Sequence, residues 1–146
     1  MPTKVRDCPC HSKRRYAACC EPFHRGDREP ETPEALMRSR YSAFALGLGE
    51  YLVRTLSADH PDRALGEAAL ARELSQVKDR QRFLGLEILE TSAAGDAGQV
   101  RFFARVFERG VDRSFEEVST FHREGGFWRY AGGSVSERGD KKARIH

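Results

Sequence analysis

The chain has 146 residues, 39% hydrophobic and 10% aromatic, with 25 basic against 22 acidic side chains and a formal net charge of +3. That is apolar material for one domain's core, and the charge is too balanced for nucleic-acid binding over the whole surface. No stretch reaches the roughly 18 apolar residues of a membrane helix. The charged opening residues have no apolar run behind them and do not read as a signal peptide, so a soluble cytoplasmic protein without membrane insertion is expected.

The first feature in chain order is "CPCHSKRRYAACC", residues 8–20, which holds every cysteine of the chain: Cys8, Cys10, Cys19 and Cys20. Three readings compete. Disulfides are disfavoured by a reducing cytoplasm and by the short Cys8–Cys10 and Cys19–Cys20 separations, with crossed pairs still open geometrically. Buried free thiols fit a charged and proline-containing segment poorly, and a redox sensor requires thiols that react with alkylating reagents in the native, metal-loaded protein. The third is a closed four-thiolate metal site, in which two ligand pairs joined by a wrapping loop give tetrahedral coordination. Metal binding would then supply the loop's folding energy. Charge favours this reading, because four thiolates around a divalent ion leave an excess of about two negative charges. Lys13, Arg14 and Arg15 lie in the wrapping loop to offset it. A site with four ligands has no open position, so the metal is expected to be structural. His11 and His24 read as solvated loop histidines, with outer-shell donation or substitute ligation as the alternative.

The segment resembles the SEC-C motif through Cys8, Pro9, Cys10, Ser12, Tyr16, Cys19 and Cys20. It departs at His11 and Lys13, where the motif has glycines; if those glycines serve positive-φ positions, the turn here is strained or altered. The resemblance implies zinc, with iron also proposed for such sites. It implies as well a docking element for a chaperone or the ribosome, presenting Lys13, Arg14, Arg15 and Tyr16 and contacting ribosomal RNA phosphates.

A linker punctuated by Pro22, Gly26, Pro30 and Pro33 follows. Thr32-Pro33-Glu34 then signals a helix start, and "PEALMRSRYSAFAL" places Met37, Tyr41, Phe44 and Leu48 on one apolar stripe. Gly47 and Gly49 punctuate the end of this helix. Arg40 falls between Leu36 and Phe44 on a partly buried face and needs an anionic or polar partner. "EYLVRTL" predicts a second short helix. "DRALGEAALAREL" predicts a third, with Leu70, Leu74 and Val77 on one face.

From residue 82 the period changes to two. "RFLGLEILET", "QVRFFARVFER", "SFEEVSTFHRE" and "GFWRYAGG" predict four strands separated by turn signals. On the second, Val100, Phe102, Ala104 and Val106 oppose Arg101, Phe103, Arg105 and Phe107. Neither set is purely polar, so both sheet faces are expected to be partly covered. On the third, Phe115, Glu117, Ser119 and Phe121 share a face, which makes Glu117 a candidate partner for Arg40.

Helices first and an antiparallel sheet afterwards predict an α+β fold. "LMRSRYSAF", "YLVRTL", "FLGLEILE" and "EVSTFHREGGFWRYAGG" resemble the YchJ-like family, whose members join a SEC-C module to a cone-shaped nuclear-transport-factor-2-like domain. The expected division is 1–28 as SEC-C module with linker, 29–135 as the conical domain and 136–146 as a flexible basic tail. Some members carry a second SEC-C motif; residues 134–146 of this chain contain no cysteine. Arg40, Tyr41, Glu117, Ser119 and Trp128 are candidates for lining the cone's cavity, and Tyr51, Phe103, Phe127 and Tyr130 for pocket or core. No phosphate loop, nucleophile elbow or His-Glu-x-x-His is present, and His122 is the one histidine with a candidate place in a cavity. A metal-binding adaptor is therefore favoured over an enzyme, with small-molecule binding in the cavity as the alternative. Both a monomer and a homodimer are consistent with the sequence.

Overall fold

The computed structural model describes residues 6–137. The expected basic tail, residues 136–146, lies almost wholly outside the described residues. After the cysteine segment, a single turn α1 (Glu21–His24) leads through the linker to α2 (Pro33–Leu46). Thr32 accepts a hydrogen bond from the Ala35 amide at 3.0 Å, and Pro33 occupies the first turn. Gly47 closes the helix with a left-handed φ of 76°, as expected from its sequence.

The short helix α3 (Gly49–Arg54) packs on α4 (Glu67–Ser75). A Cβ at Gly49 would collide with the Ala71 carbonyl oxygen, so only glycine allows this approach. The third predicted helix is broken. Gly66, with φ of 90°, separates a 3₁₀ turn at Pro61–Leu65 from α4. Leu70, Leu74 and Val77 are buried together as expected.

The sheet is antiparallel, ordered β1 (Gln81–Ala94), β2 (Ala97–Glu108), β4 (Phe115–Glu124), β5 (Phe127–Glu137), with a two-residue β3 (Val111–Asp112) paired to β2. Val100, Phe102, Ala104 and Val106 turn inward, with Phe115, Glu117, Ser119 and Phe121 beside them. The outer face is less covered than expected: Arg101 and Arg105 are exposed, Phe103 and Phe107 half-buried. A guanidinium rather than a second layer shields one ring, Arg105 lying 5.5 Å from the centre of Phe107.

The helix α2 fills the cone. Its apolar residues are buried, but so are Ser39, Arg40 and Ser42, so the helix is enclosed on several sides rather than along one stripe. Their polar groups bond internally, Ser39 Oγ to the Leu36 carbonyl at 2.8 Å and to the Tyr51 hydroxyl at 2.6 Å. The knuckle joins this core. Cys8, Cys10, Tyr16 and Cys20 cluster with Leu36, Met37, Tyr41 and the inward residues of the sheet.

Candidate metal centre

The knuckle is a small hairpin. The Cys8 amide donates to the Arg14 carbonyl at 2.8 Å and the Tyr16 amide to the Arg6 carbonyl at 2.9 Å, bringing the Cys8–Cys10 arm against the Cys19–Cys20 arm. One ligand atom from each cysteine lies within 4.8 Å of all the others, with Cys10 and Cys19 sulfurs 3.6 Å apart and those of Cys19 and Cys20 4.0 Å apart. Sulfurs bound tetrahedrally at about 2.3 Å stand about 3.8 Å from one another. All four thiols are free. The spacing therefore suits an ion and is far too long for the disulfide reading, whose S–S bond is about 2.05 Å.

The electrostatics agree with a thiolate cage. Cys10 sits at the centre; hydrogen bonds from Cys20 and Cys8, and further ones from Ser12 and Cys19, push its thiol far below the usual range. Bonding to Cys10 raises Cys8 to about 12, and bonding to Cys10 and Cys8 raises Cys20 as well. A cation bound among these sulfurs would displace the protons they carry, which couples metal binding to pH.

The turn is strained where it departs from the motif. His11 has φ of 63° and Lys13 φ of 70°, the left-handed conformation that glycine adopts at little cost. Ser12, between them, places its Oγ 3.2 Å from the Cys19 sulfur.

Of the residues expected to face a partner, Lys13, Arg14 and Arg15 are exposed. Arg14 also donates to the Ala18 carbonyl at 2.5 Å, bracing the loop. Tyr16 is a correction. It is 7% exposed, its ring covered by the Arg6 guanidinium at 4.4 Å, and burial pushes its hydroxyl up to about 12. It is an internal strut because its hydroxyl meets His24 Nδ1 at 2.6 Å.

His24 is likewise no solvated loop residue. Its Nε2 lies 2.8 Å from the Ser39 carbonyl oxygen, which can only accept, so Nε2 carries the proton and Nδ1 accepts from Tyr16. Burial lowers the His24 pKa and keeps the ring neutral. Arg38 supplies a second tie, donating to the Cys10 carbonyl at 3.1 Å and to Glu34 Oε2 at 3.1 Å. Burial opposes its charge, but Glu34 and Cys10 outweigh this and raise its pKa. Neither tie was visible in the sequence, since the two partners lie far apart along the chain. His11 is exposed, edge-on to Tyr41 at 5.8 Å.

Arg40, Tyr41, Glu117 and Ser119 do meet around one cavity, together with Met37, Phe44, Phe102, Phe115, Phe121 and Tyr130. Its volume is about 40 Å³, room for about three or four waters at about 10–15 Å³ each. Ligand pockets are roughly 300–1,000 Å³. Glu117 Oε2 accepts from Ser119 Oγ and from the Tyr130 hydroxyl at 3.1 Å. Arg40 donates to the Leu52 carbonyl at 2.8 Å and to Thr55 Oγ1 at 2.7 Å, with its guanidinium 4.6 Å from the centre of the Tyr130 ring. Burial works against the Arg40 charge, and Tyr130, Tyr51 and Glu117 favour it. Tyr130 thus touches both members of the expected ion pair.

Trp128 is a second correction. It is 3% exposed under the Arg123 guanidinium and lies outside the cavity. In the register of β4 and β5 it faces Arg123, whereas Tyr130 faces Phe121 beside the cavity. Trp128 shares Tyr130's face but sits nearer the hairpin end. Tyr51 is core, Phe127 is exposed, and His122 is exposed on β4.

Residues 32–133 match the family model described as the middle, NTF2-like domain of YchJ. A UPF0225 protein of Corynebacterium efficiens is 43% identical over 89% of this chain and 94% of its own length. The chain belongs to the YchJ family. The UPF0225 protein YchJ of Shigella dysenteriae is 38% identical over 90% of this chain and 85% of its own. A solution structure of a SEC-C motif containing protein from Rhodopseudomonas palustris superposes with a TM-score of 0.74 at 36% identity, covering 87% of this chain and 96% of that one. In this chain a SEC-C motif accompanies an NTF2-like α+β domain, and its four clustered cysteines suit a metal ion. Among the described residues no helix is long and apolar enough to cross a membrane.

Proposed function

We propose that this YchJ-family protein is a zinc-stabilised docking protein of the cytoplasm, whose knuckle presents Lys13, Arg14 and Arg15 to ribosomal RNA phosphates. The observation that carries the reading is the exposure of these three side chains on a loop tied to the protein body. The ties run from Arg38 to the Cys10 carbonyl and from Tyr16 through His24 to the Ser39 carbonyl. A cationic group on a rigid support loses little entropy when it meets a phosphate. Zinc suits a closed, all-sulfur set with no open position; iron in the same set would colour the protein, and elemental analysis of material purified without added metal separates the two. A chaperone of protein export is the other partner implied by the resemblance to SEC-C modules. Nothing favours a metabolite in a cavity of about 40 Å³.

Co-sedimentation with ribosomes tests the reading. Three phosphate contacts predict binding that falls with salt at a log–log slope of about −2 to −2.7. Charge reversal at Lys13, Arg14 and Arg15 (K13E, R14E, R15E) removes both binding and slope. A triple variant that sediments like the wild type places the docking surface elsewhere.

A further inference from the structure

The four thiols of the knuckle are not equivalent. Cys8, Cys10 and Cys20 are 4%, 0% and 1% exposed, whereas Cys19 is partly exposed. Cys19 opens onto a groove of about 560 Å³ between the knuckle and the start of α2, whose walls include Ser12, Arg14, Arg28 and Arg38, the last ion-paired with Glu34, which also lines the groove. Cys20 adjoins the same groove but is almost wholly covered. The Arg14 amide donates to Ser12 Oγ at 3.2 Å, which leaves the Ser12 hydroxyl proton to point at the Cys19 sulfur 3.2 Å away.

From this asymmetry we propose that Cys19 is an oxidation site through which hydroperoxides open the knuckle. The inference rests on the reading of the four cysteines as metal ligands. The Cys19 sulfur attacks the hydroperoxide, an S–O bond forms, the O–O bond breaks and hydroxide leaves (an alkoxide, when the oxidant is organic). The guanidinium groups lining the groove stabilise that departing anion. Cys10, with its sulfur 3.6 Å away, then attacks the sulfenic sulfur; an S–S bond forms and a second hydroxide leaves. The two thiolates together lose two electrons, the peroxide gains two, and both anions take protons from solvent. The adjacent Cys20 would close a small strained ring, so Cys10 is the better partner. An ion deprived of two of its four ligands is released, and the basic loop loses its frame.

The test uses the full zinc-loaded chain. Under limiting N-ethylmaleimide, Cys19 is labelled about tenfold ahead of the other three, as exposure of a thiolate dictates. Under hydrogen peroxide, zinc release measured with a chromogenic chelator runs in step with a Cys10–Cys19 disulfide mapped by mass spectrometry. Reduction in the presence of zinc reverses both. Ser12→Ala, which removes the hydrogen bond that tempers the Cys19 sulfur, speeds release about threefold. A zinc-loaded protein in which another cysteine reacts first, or which loses zinc without that disulfide, overturns the proposal and leaves the metal reading intact. A protein that takes up no zinc overturns both.

Discussion

Residues 8–20 and the conical domain are held together by different means, although they share one hydrophobic cluster. In the cone, α2 lies against a sheet whose inward residues are almost wholly buried, and α3 against α4, so order follows from apolar burial. In the knuckle most side chains between the ligands are exposed. The buried groups there are the thiols of Cys8, Cys10 and Cys20, and Tyr16. Its order depends on four sulfurs meeting at one point. The contrast predicts that the knuckle needs a bound ion to fold and that the cone does not. Across that shared cluster, Arg38, His24 and Tyr16 make polar ties between the two.

Removing the metal is the strongest way to break this pairing. Structural zinc contributes apparent free energies of about 10–16 kcal/mol in zinc-finger peptides. Chelation, or Cys10→Ser, therefore abolishes order around residues 8–20. Hydrogen exchange should show the knuckle amides becoming fast while those of β2 and β4 stay protected. A knuckle that stays protected without metal would mean that its packing on Leu36, Met37 and Tyr41 is sufficient alone.

The converse perturbation is Gly49→Ala, whose added methyl meets the Ala71 carbonyl oxygen across the α3–α4 contact. Overpacking of this kind costs about 1–3 kcal/mol. A urea unfolding curve should move by that amount with metal stoichiometry unchanged.

Glycine at His11 or Lys13 should sharpen the contrast in the other direction. Both residues are left-handed, a conformation costing a side-chain-bearing residue roughly 1–2 kcal/mol. Each substitution should tighten zinc binding by about fivefold or more, equivalent to at least about 1 kcal/mol, as read by competition with a chelator. The cone's unfolding midpoint should not move.

The smallest effect concerns these polar ties. His24 is neutral in the native protein and its pKa is lowered by burial. The unfolded chain therefore binds the proton more readily. The stabilisation is fully present above the unfolded histidine pKa near 6.5 and is lost as pH falls from there toward the native value. His60 is shifted the same way, so the diagnostic quantity is the difference between wild type and His24→Gln. The variant's stability should depend less on pH below about 6.5. Equal slopes would remove His24 from the pH response.

Much of the architecture was legible because its signals are local. Thr32, Pro33 and Gly47 bound α2 at the predicted residues, and alternation along β2 and β4 identified the inward sets. The four ligands were legible for the same reason, lying within one short segment. What was not legible depended on partners distant in sequence. Arg38 reaches Cys10 across 28 positions and His24 reaches Ser39 across 15, so neither leaves a spacing pattern. Gly66 broke a predicted helix because a lone glycine reads as tolerated until its φ is known.

By itself the amino-acid sequence determined the order of the elements, the thiolate set and the basic character of the loop that wraps it, all of which follow from neighbours along the chain. Only the tertiary structure decided that Tyr16 faces inward, that Tyr130 rather than Trp128 borders the cavity, and that the cavity is only about 40 Å³. It also decided which of four identical thiols meets solvent. Exposure and volume depend on how separate segments pack, and no local pattern encodes them.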